Sequence, residues 1–224
     1  MGDNIRLTAA DGHELGAYRA RPGGAARGGV VVIQEIFGVN GHIRDVCDRY
    51  AQAGYLAVAP AIFDRTERDI ELDYTPDDMT RGREIRAGID MADVIKDVAA
   101  AAGAAAEAGK VGIVGYCWGG LIVYVAACRL GDKLACGSGY YGANIKNYLN
   151  ETPAIPLMLH FGTLDASIPL AEVDAIRTAH PEVIVHVYGG ADHGFNCDRR
   201  AQYNPAAAKL ANERTLAFFA QHLG

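Results

Sequence analysis

A single cysteine stands between two glycines in residues 115–119, Gly-Tyr-Cys-Trp-Gly, and this spacing could hold a nucleophile in a sharp turn. The preceding residues, 111–114, are apolar and mostly β-branched, which predicts a buried strand. The apolar run 121–127 predicts a helix. A strand, a glycine-flanked nucleophile and a helix together form the nucleophile elbow of hydrolases. The elbow would raise Cys117 to the edge of a sheet, where small neighbours let the backbone approach closely.

A thiol nucleophile needs a base and an acid that orients the base, and candidates for both follow later strand patterns. Asp165 comes just after the apolar run 156–161, and His193 lies in a glycine-rich loop after 183–188. Nucleophile, acid and histidine in this order are typical of elbow enzymes. His193 would accept the thiol proton, and Asp165 would fix the imidazole tautomer. Asp192 is the alternative acid, but adjacent loop residues rarely point at each other, which favours Asp165.

Strand and helix patterns alternate along the chain that must position these residues. Strands are predicted at 13–18, 29–33, 55–59, 111–114, 134–140, 156–161 and 183–188. Helices are predicted at 40–52, 77–106 in two pieces around Gly88, 121–127, 170–179 and 206–222. Repeated strand–helix units predict an α/β fold, with a mostly parallel sheet and helices on both faces, in one domain over residues 1–224. Sites in such sheets lie at the carboxyl ends of the strands, where Cys117 is expected.

Composition excludes several classes of function. The 224 residues carry a net charge of −6 with no basic block, so nucleic acid is not an expected partner. No apolar run approaches the length of a membrane span and no signal-peptide core opens the sequence, which predicts a cytoplasmic protein that does not bind membranes. Five cysteines without a CxxC spacing indicate neither a disulfide framework nor a zinc site, and no cofactor or metal is expected. A monomer and a small homo-oligomer both remain open.

Six segments resemble the dienelactone hydrolase (carboxymethylenebutenolidase) family of cysteine-dependent α/β-hydrolases. They lie at 34–40, 59–63, 115–120, 140–142, 162–165 and 211–215, so the resemblance extends over nearly the whole chain. It implies the α/β-hydrolase fold and a catalytic triad of Cys117, His193 and Asp165. The expected reaction is cleavage of a small lactone or ester through an acyl-enzyme thioester.

The same resemblance implies roles for three residues outside the triad. The backbone N–H groups of Ile36 and Trp118 would form the oxyanion hole. Glu35 would hydrogen-bond the resting thiol and keep it uncharged until substrate arrives, which protects it from oxidation.

Substrate binding is where the sequence departs from the family pattern. Dienelactone-cleaving members hold the substrate carboxylate with two arginines, and in this chain Arg81 or Arg83 would supply the first. The second position, four residues after the histidine, holds Cys197, and Arg199 and Arg200 lie at shifted positions. Losing one arm of such a fork weakens bidentate recognition of a carboxylate. A general small carboxylesterase or thioesterase is therefore the alternative.

Two further alternatives rest on other residues. A class I glutamine amidotransferase also places a cysteine in an elbow and pairs it with His-x-Glu, and the chain contains His180-Pro181-Glu182. That triplet follows a helix instead of a strand, and His193 would then be unexplained. A non-catalytic thiol sensor or ligand-binding module would use Cys117 with a resolving cysteine, for which Cys128 is the nearest in sequence.

Overall fold

Eight strands form one sheet in the computed structural model of the protein, which describes residues 2–224. The strands are β1 (Asp3–Thr8), β2 (Glu14–Ala20), β3 (Gly29–Ile33), β4 (Leu56–Pro60), β5 (Val111–Tyr116), β6 (Cys136–Tyr140), β7 (Leu157–Gly162) and β8 (Ile184–Tyr188). The main helices are α1 (Gly41–Gln52), α2 (Pro76–Ala87), α3 (Met91–Ala105), α4 (Trp118–Arg129), α5 (Leu170–Ala179) and α6 (Pro205–Leu223).

The sheet runs in the order β1-β2-β4-β3-β5-β6-β7-β8. The pairings of β2 with β1 and β4 are antiparallel, and all the others are parallel. Helices α3 and α4 pack against one face. Helices α1 and α6 meet on the other, where the rings of Tyr50 and Phe219 lie 5.9 Å apart. The predicted parallel sheet with helices on both faces is confirmed.

The central strands are apolar because both of their faces are covered. Every residue of β3, β4, β5, β6 and β7 is buried, as expected where helices cover a parallel sheet on both sides. The carboxyl ends of β5, β7 and β8 therefore open onto one edge of a rigid scaffold. That edge carries the loops with Cys117, Asp165 and His193.

Local signals set the helix boundaries near this edge. Thr75 caps α2 by accepting the Asp78 N–H, and Pro76 occupies the first helical turn. Asp90 caps α3 in the same way through the Ala92 N–H. The predicted division of residues 77–106 around Gly88 is therefore confirmed.

One end of the sheet differs from the prediction. Strand β1 was missed, because its apolar residues, Ile5 and Leu7, are too few to give a clear alternating pattern. The strand predicted at 183–188 is confirmed as β8, which is an edge strand whose Ile184 is 43% exposed.

A buried polar network holds together the strands that precede Asp165 and His193. His160 on β7 lies 2.8 Å from the Tyr188 hydroxyl through Nδ1, and its Nε2 lies 3.2 Å from Ser138 and 3.1 Å from Thr215. Burial lowers the pKa of His160 well below its usual value, so the ring is neutral. The network links β6, β7, β8 and α6, because each strand and the helix contributes one member.

No helix within residues 2–224 combines the length and the apolar character that a membrane span requires.

Candidate active site

Cys117 occupies a strained turn between β5 and α4. Its φ of 56° and ψ of −116° are unusual for any residue other than glycine. The backbone segments around Cys117 pack closely. A Cβ on Gly115 would lie 2.2 Å from the carbonyl oxygen of Gly119, and a Cβ on Gly119 would lie 2.6 Å from the carbonyl oxygen of Ile33. The Cys117 N–H donates to the carbonyl of Tyr140 at 3.0 Å. The two flanking glycines are thus required by close approach, and the thiol is partly exposed.

His193 reaches the sheet edge from the loop after β8 and meets the acid from the loop after β7. Its Nδ1 lies 2.8 Å from Oδ2 of Asp165, whose side chain is fully buried. The other carboxylate oxygen of Asp165 accepts the Ser167 N–H at 2.9 Å, which fixes the carboxylate plane. Asp192 instead accepts the backbone N–H of His193 at 2.6 Å. The imidazole is therefore oriented by Asp165 and not by Asp192.

The environment of His193 favours its protonated form. Burial lowers the pKa of the imidazole, but its interactions with the Cys117 side chain and with Asp165 outweigh burial and raise the pKa to about 10. Since Nδ1 faces Asp165, the nitrogen toward Cys117 is Nε2. The ring also lies 5.1 Å from that of Tyr141. This arrangement can hold a thiolate–imidazolium pair.

The two predicted oxyanion-hole residues lie on either side of the elbow. Trp118 is the first residue of α4, so its N–H has no partner within the helix. Ile36 lies in the turn that follows β3. Helix α2 presses on that turn, because a Cβ on Gly82 would lie 1.9 Å from the Ile36 carbonyl oxygen. Ile36 is thus held between the sheet and α2.

Glu35 is buried but its recorded partners differ from the expected one. Its Oε2 accepts a hydrogen bond from the Tyr74 hydroxyl at 3.2 Å, and Oε1 lies 3.6 Å from Nη1 of Arg200. Among residues 2–224, no hydrogen bond joins Glu35 to the Cys117 thiol. The hydroxyl of Tyr74 and the charge of Arg200 account for this orientation. A thiol-shielding role for Glu35 stays a prediction.

Glu35 also belongs to a buried cluster that the sequence did not indicate. One ligand atom from each of Glu35, His42 and Cys197 lies within 4.8 Å of the other two. Burial raises the pKa of the Cys197 thiol to about 12. The residues lie in different loops and helices, so no local spacing could have revealed the group.

The candidate substrate-binding arginines occupy different surroundings. Arg81 is ion-paired with Glu67, and its side chain is 47% exposed. Arg83 instead lines a cavity of about 390 Å³ together with Trp118. Arg86 lines the same cavity, with its guanidinium 5.7 Å from the centre of the Trp118 ring. Helix α2 turns Arg81 toward a surface carboxylate, whereas Arg83 lies at a cavity, and substrate binding by either arginine stays a prediction.

Two of the sequence alternatives lack the required geometry. His180 ends α5 at the amino end of β8, opposite Cys117, and its ring nitrogens contact Glu182 and the Leu149 carbonyl. The Cys128 sulfur contacts the Glu151 carbonyl at 3.6 Å. It lies eleven residues along α4 from Cys117, or roughly 16 Å at the helical rise. Neither an amidotransferase pair nor a resolving cysteine at this position is supported.

Sequence reasoning missed three residues of this region: Tyr74, Tyr141 and Arg200. Tyr141 stood in a family-like segment and adopts a φ of 38°, yet nothing in the sequence indicated that its ring packs on His193. Arg200 is one of the two arginines at shifted positions, and nothing in the sequence indicated that its side chain is only 10% exposed and lies beside Glu35. The sequence offered one signal for Arg200, which is that the arginines after His193 stand a few residues later than the family pattern places one.

An eight-stranded, mostly parallel sheet with this elbow at the carboxyl end of a central strand defines an α/β-hydrolase fold. The sequence profile of the dienelactone hydrolase family matches residues 15–223, so the chain belongs to that family. It is a hydrolase of the carboxymethylenebutenolidase type, which acts on ester and lactone bonds.

Individual relatives agree with this placement. The chain is 34% identical over 233 residues to a carboxymethylenebutenolidase from Pseudomonas putida, an alignment covering 98% of this chain and 97% of the relative. It is 38% identical over 213 residues to a candidate carboxymethylenebutenolidase from Synechocystis, covering 87% and 86%. The crystal structure of a candidate dienelactone hydrolase from Klebsiella pneumoniae superposes with a TM-score of 0.84 at 34% identity, covering 98% of this chain and all of that one.

Proposed function

We propose that the protein hydrolyses a small ester or lactone through a Cys117–His193–Asp165 triad and an acyl-enzyme thioester. The observation that carries the proposal is the position of His193. Its Nδ1 is bound to the buried carboxylate of Asp165 at 2.8 Å, while its other nitrogen faces the thiol in the strained elbow. The bond between Asp165 and His193, at the sheet edge that carries Cys117, supports these roles of nucleophile, base and orienting acid.

Acylation begins with attack of the Cys117 sulfur on the substrate carbonyl. The C–S bond forms as the carbonyl π electrons move to oxygen, where the N–H groups of Ile36 and Trp118 stabilise the negative charge. The tetrahedral intermediate then expels the alkoxide, which takes a proton from the His193 imidazolium. The thioester and a neutral His193 remain, and for a lactone the alcohol stays on the same molecule.

Deacylation uses the same groups in reverse. Neutral His193 takes a proton from water as the hydroxide oxygen attacks the thioester carbonyl. Collapse of the second tetrahedral intermediate releases the acid and returns the thiolate–imidazolium pair. Asp165 stabilises the imidazolium in both steps without itself becoming protonated.

We propose that the substrate carries a carboxylate, which Arg83 binds. The cavity lined by Arg83 and Arg86 includes Trp118, whose backbone belongs to the proposed oxyanion hole. A guanidinium there would hold an anionic group beside Trp118, the residue that follows Cys117 in the chain. The competing description is an esterase for uncharged substrates, which requires no such cation.

Trapping the thioester tests the proposal directly. Wild-type protein is mixed with an activated ester, quenched in acid, and the acyl mass located by peptide mass spectrometry. We expect a burst of product equal to the enzyme concentration and acyl mass on the peptide containing Cys117. Cys117→Ala should give neither, whereas the control Cys128→Ala should behave like wild type. Unchanged turnover in folded Cys117→Ala would refute the mechanism.

A further inference from the structure

Glu35, His42 and Cys197 form a buried cluster in which two polar atoms lack a hydrogen bond. The exposed fractions of the three residues are 1%, 0% and 0%. Within residues 2–224, neither Oε1 of Glu35, which faces only the more distant charge of Arg200 at 3.6 Å, nor Nε2 of His42 makes a hydrogen bond, although both atoms are buried. Leaving such groups unpaired is costly, so two beside each other indicate something that binds both.

The neighbours orient the cluster as the second layer of a metal site would. Nδ1 of His42 lies 3.3 Å from Oδ1 of Asp198, which directs its proton there and leaves the Nε2 lone pair free. The Tyr74 hydroxyl donates to Oε2 of Glu35, so Oε1 is the carboxylate oxygen that makes no hydrogen bond among the described residues. Arg49 is ion-paired with Asp198 and holds it in place. A carboxylate–histidine pair of this kind is common behind metal-bound histidines.

We infer that Glu35, His42 and Cys197 bind one zinc ion. An imidazole, a thiolate and a carboxylate are the ligand types zinc prefers, and the two anions together balance its charge. Zinc–ligand bonds of about 2.0–2.3 Å place tetrahedral ligand atoms roughly 3.3–3.8 Å apart. The present ligand atoms lie within 4.8 Å of one another, so small side-chain rotations close the site. A fourth position remains for water.

The positive charge of Arg200 lies close to the proposed zinc site and provides a control for the binding experiment. Nη1 of Arg200 lies 3.6 Å from Oε1 of Glu35, beyond hydrogen-bonding distance. A like charge at this position weakens cation binding. Removing it should therefore tighten zinc, an effect that non-specific binding to a thiol would not show.

Metal binding is measured in a Cys117→Ser background, which removes the thiol of the proposed active site and makes the result independent of hydrolase activity. The protein is titrated with zinc against a chromophoric chelator, and with Co²⁺ to detect thiolate-to-metal charge transfer. We expect one equivalent of zinc and a cobalt–thiolate band. Adding His42→Gln or Cys197→Ser should weaken zinc at least tenfold and Cys197→Ser should abolish the band. Adding Arg200→Gln should tighten zinc several-fold, and Cys128→Ser should change nothing.

Three results would overturn the site: no zinc in the Cys117→Ser protein, equal affinity after Cys197→Ser, or loss of the cobalt band with Cys128→Ser. If a ligand variant unfolds, alkylation of Cys197 in the otherwise unaltered Cys117→Ser protein replaces it. Zinc should slow modification of the peptide containing Cys197 at least tenfold relative to a zinc-free sample. An unchanged alkylation rate would exclude the proposal.

Discussion

Replacing Asp165 by asparagine should disable the base without disturbing the fold, and the hydrogen bonds of the carboxylate explain how. One oxygen of Asp165 accepts the Ser167 N–H at 2.9 Å, and the other lies 2.8 Å from Nδ1 of His193. In Asp165→Asn the amide oxygen must keep the bond to Ser167, so the NH₂ group faces His193. An NH₂ donor requires Nδ1 to be an acceptor, which moves the imidazole proton to Nε2.

The consequence is the wrong tautomer opposite the thiol. A protonated Nε2 on a neutral ring cannot accept the proton of Cys117, so general-base catalysis is lost. Such catalysis contributes about 10²–10⁴-fold to a rate, which corresponds to roughly 2.7–5.4 kcal/mol of activation free energy. We therefore expect kcat/KM on a small activated ester to fall by that factor in Asp165→Asn.

Steady-state hydrolysis measures the effect, with Asp192→Asn as the matched control. The Asp192 side chain accepts the backbone N–H of His193, whereas the ring of His193 is bound by Asp165, so the Asp192 variant should retain activity within about threefold. Circular dichroism establishes that both variants are folded. Equal losses in the two variants, or a loss below tenfold in Asp165→Asn, would refute the assignment of Asp165.

The interaction between His193 and Asp165 also predicts how the stability of the fold depends on pH. The pKa of His193 is raised from 6.5 to about 10 in the folded protein. A raised folded-state pKa stabilises the fold fully below pH 6.5, and that contribution is lost as the pH rises through about 10. The free energy of unfolding, measured in urea, should therefore be higher for wild type than for Asp165→Asn, and this difference should be larger at pH 6 than above pH 10. A difference that is independent of pH would contradict the charged pair.

Three further outcomes follow from the site and the scaffold. Cys117→Ala should lower kcat by at least ~10²-fold with the fold intact, measured by ester turnover and circular dichroism. Arg83→Ala should raise KM about tenfold for carboxylate-bearing esters and leave neutral esters unchanged, whereas Arg81→Ala should affect neither; equal rates on both classes would favour a general esterase. Gly119→Ala should lower the midpoint of unfolding in urea, since its Cβ would lie 2.6 Å from the carbonyl oxygen of Ile33. A midpoint equal to that of wild type would contradict this and show that α4 can shift away from β3.

The placement of Cys117, Asp165 and His193 at one sheet edge could be predicted because each lies after a strand with a strongly apolar sequence. Parallel strands end at the same edge, so the order of Cys117, Asp165 and His193 along the chain indicated their meeting place. Edge strands were harder, as β1 shows, because half of such a strand faces water and the apolar signal is weak.

Long polar side chains were the part that could not be predicted. Arg81 and Arg83 are two residues apart on α2, yet one meets a surface carboxylate and the other a cavity. Their directions depend on how α2 sits against the Ile36 turn, which is a tertiary contact. The same holds for Arg200 and Tyr74, which approach Glu35 from loops distant in sequence.

The contact between Gly115 and Gly119 separates the position of the nucleophile from its chemistry. Backbone atoms alone, packed closely enough to exclude any Cβ at either glycine, determine where the side chain of residue 117 begins. Serine has the same branching as cysteine and could start from the same point, and a single nucleotide change interconverts their codons. A lineage built on this turn can therefore exchange sulfur for oxygen without rebuilding its scaffold, and selection then acts on the surrounding charges that activate one atom or the other.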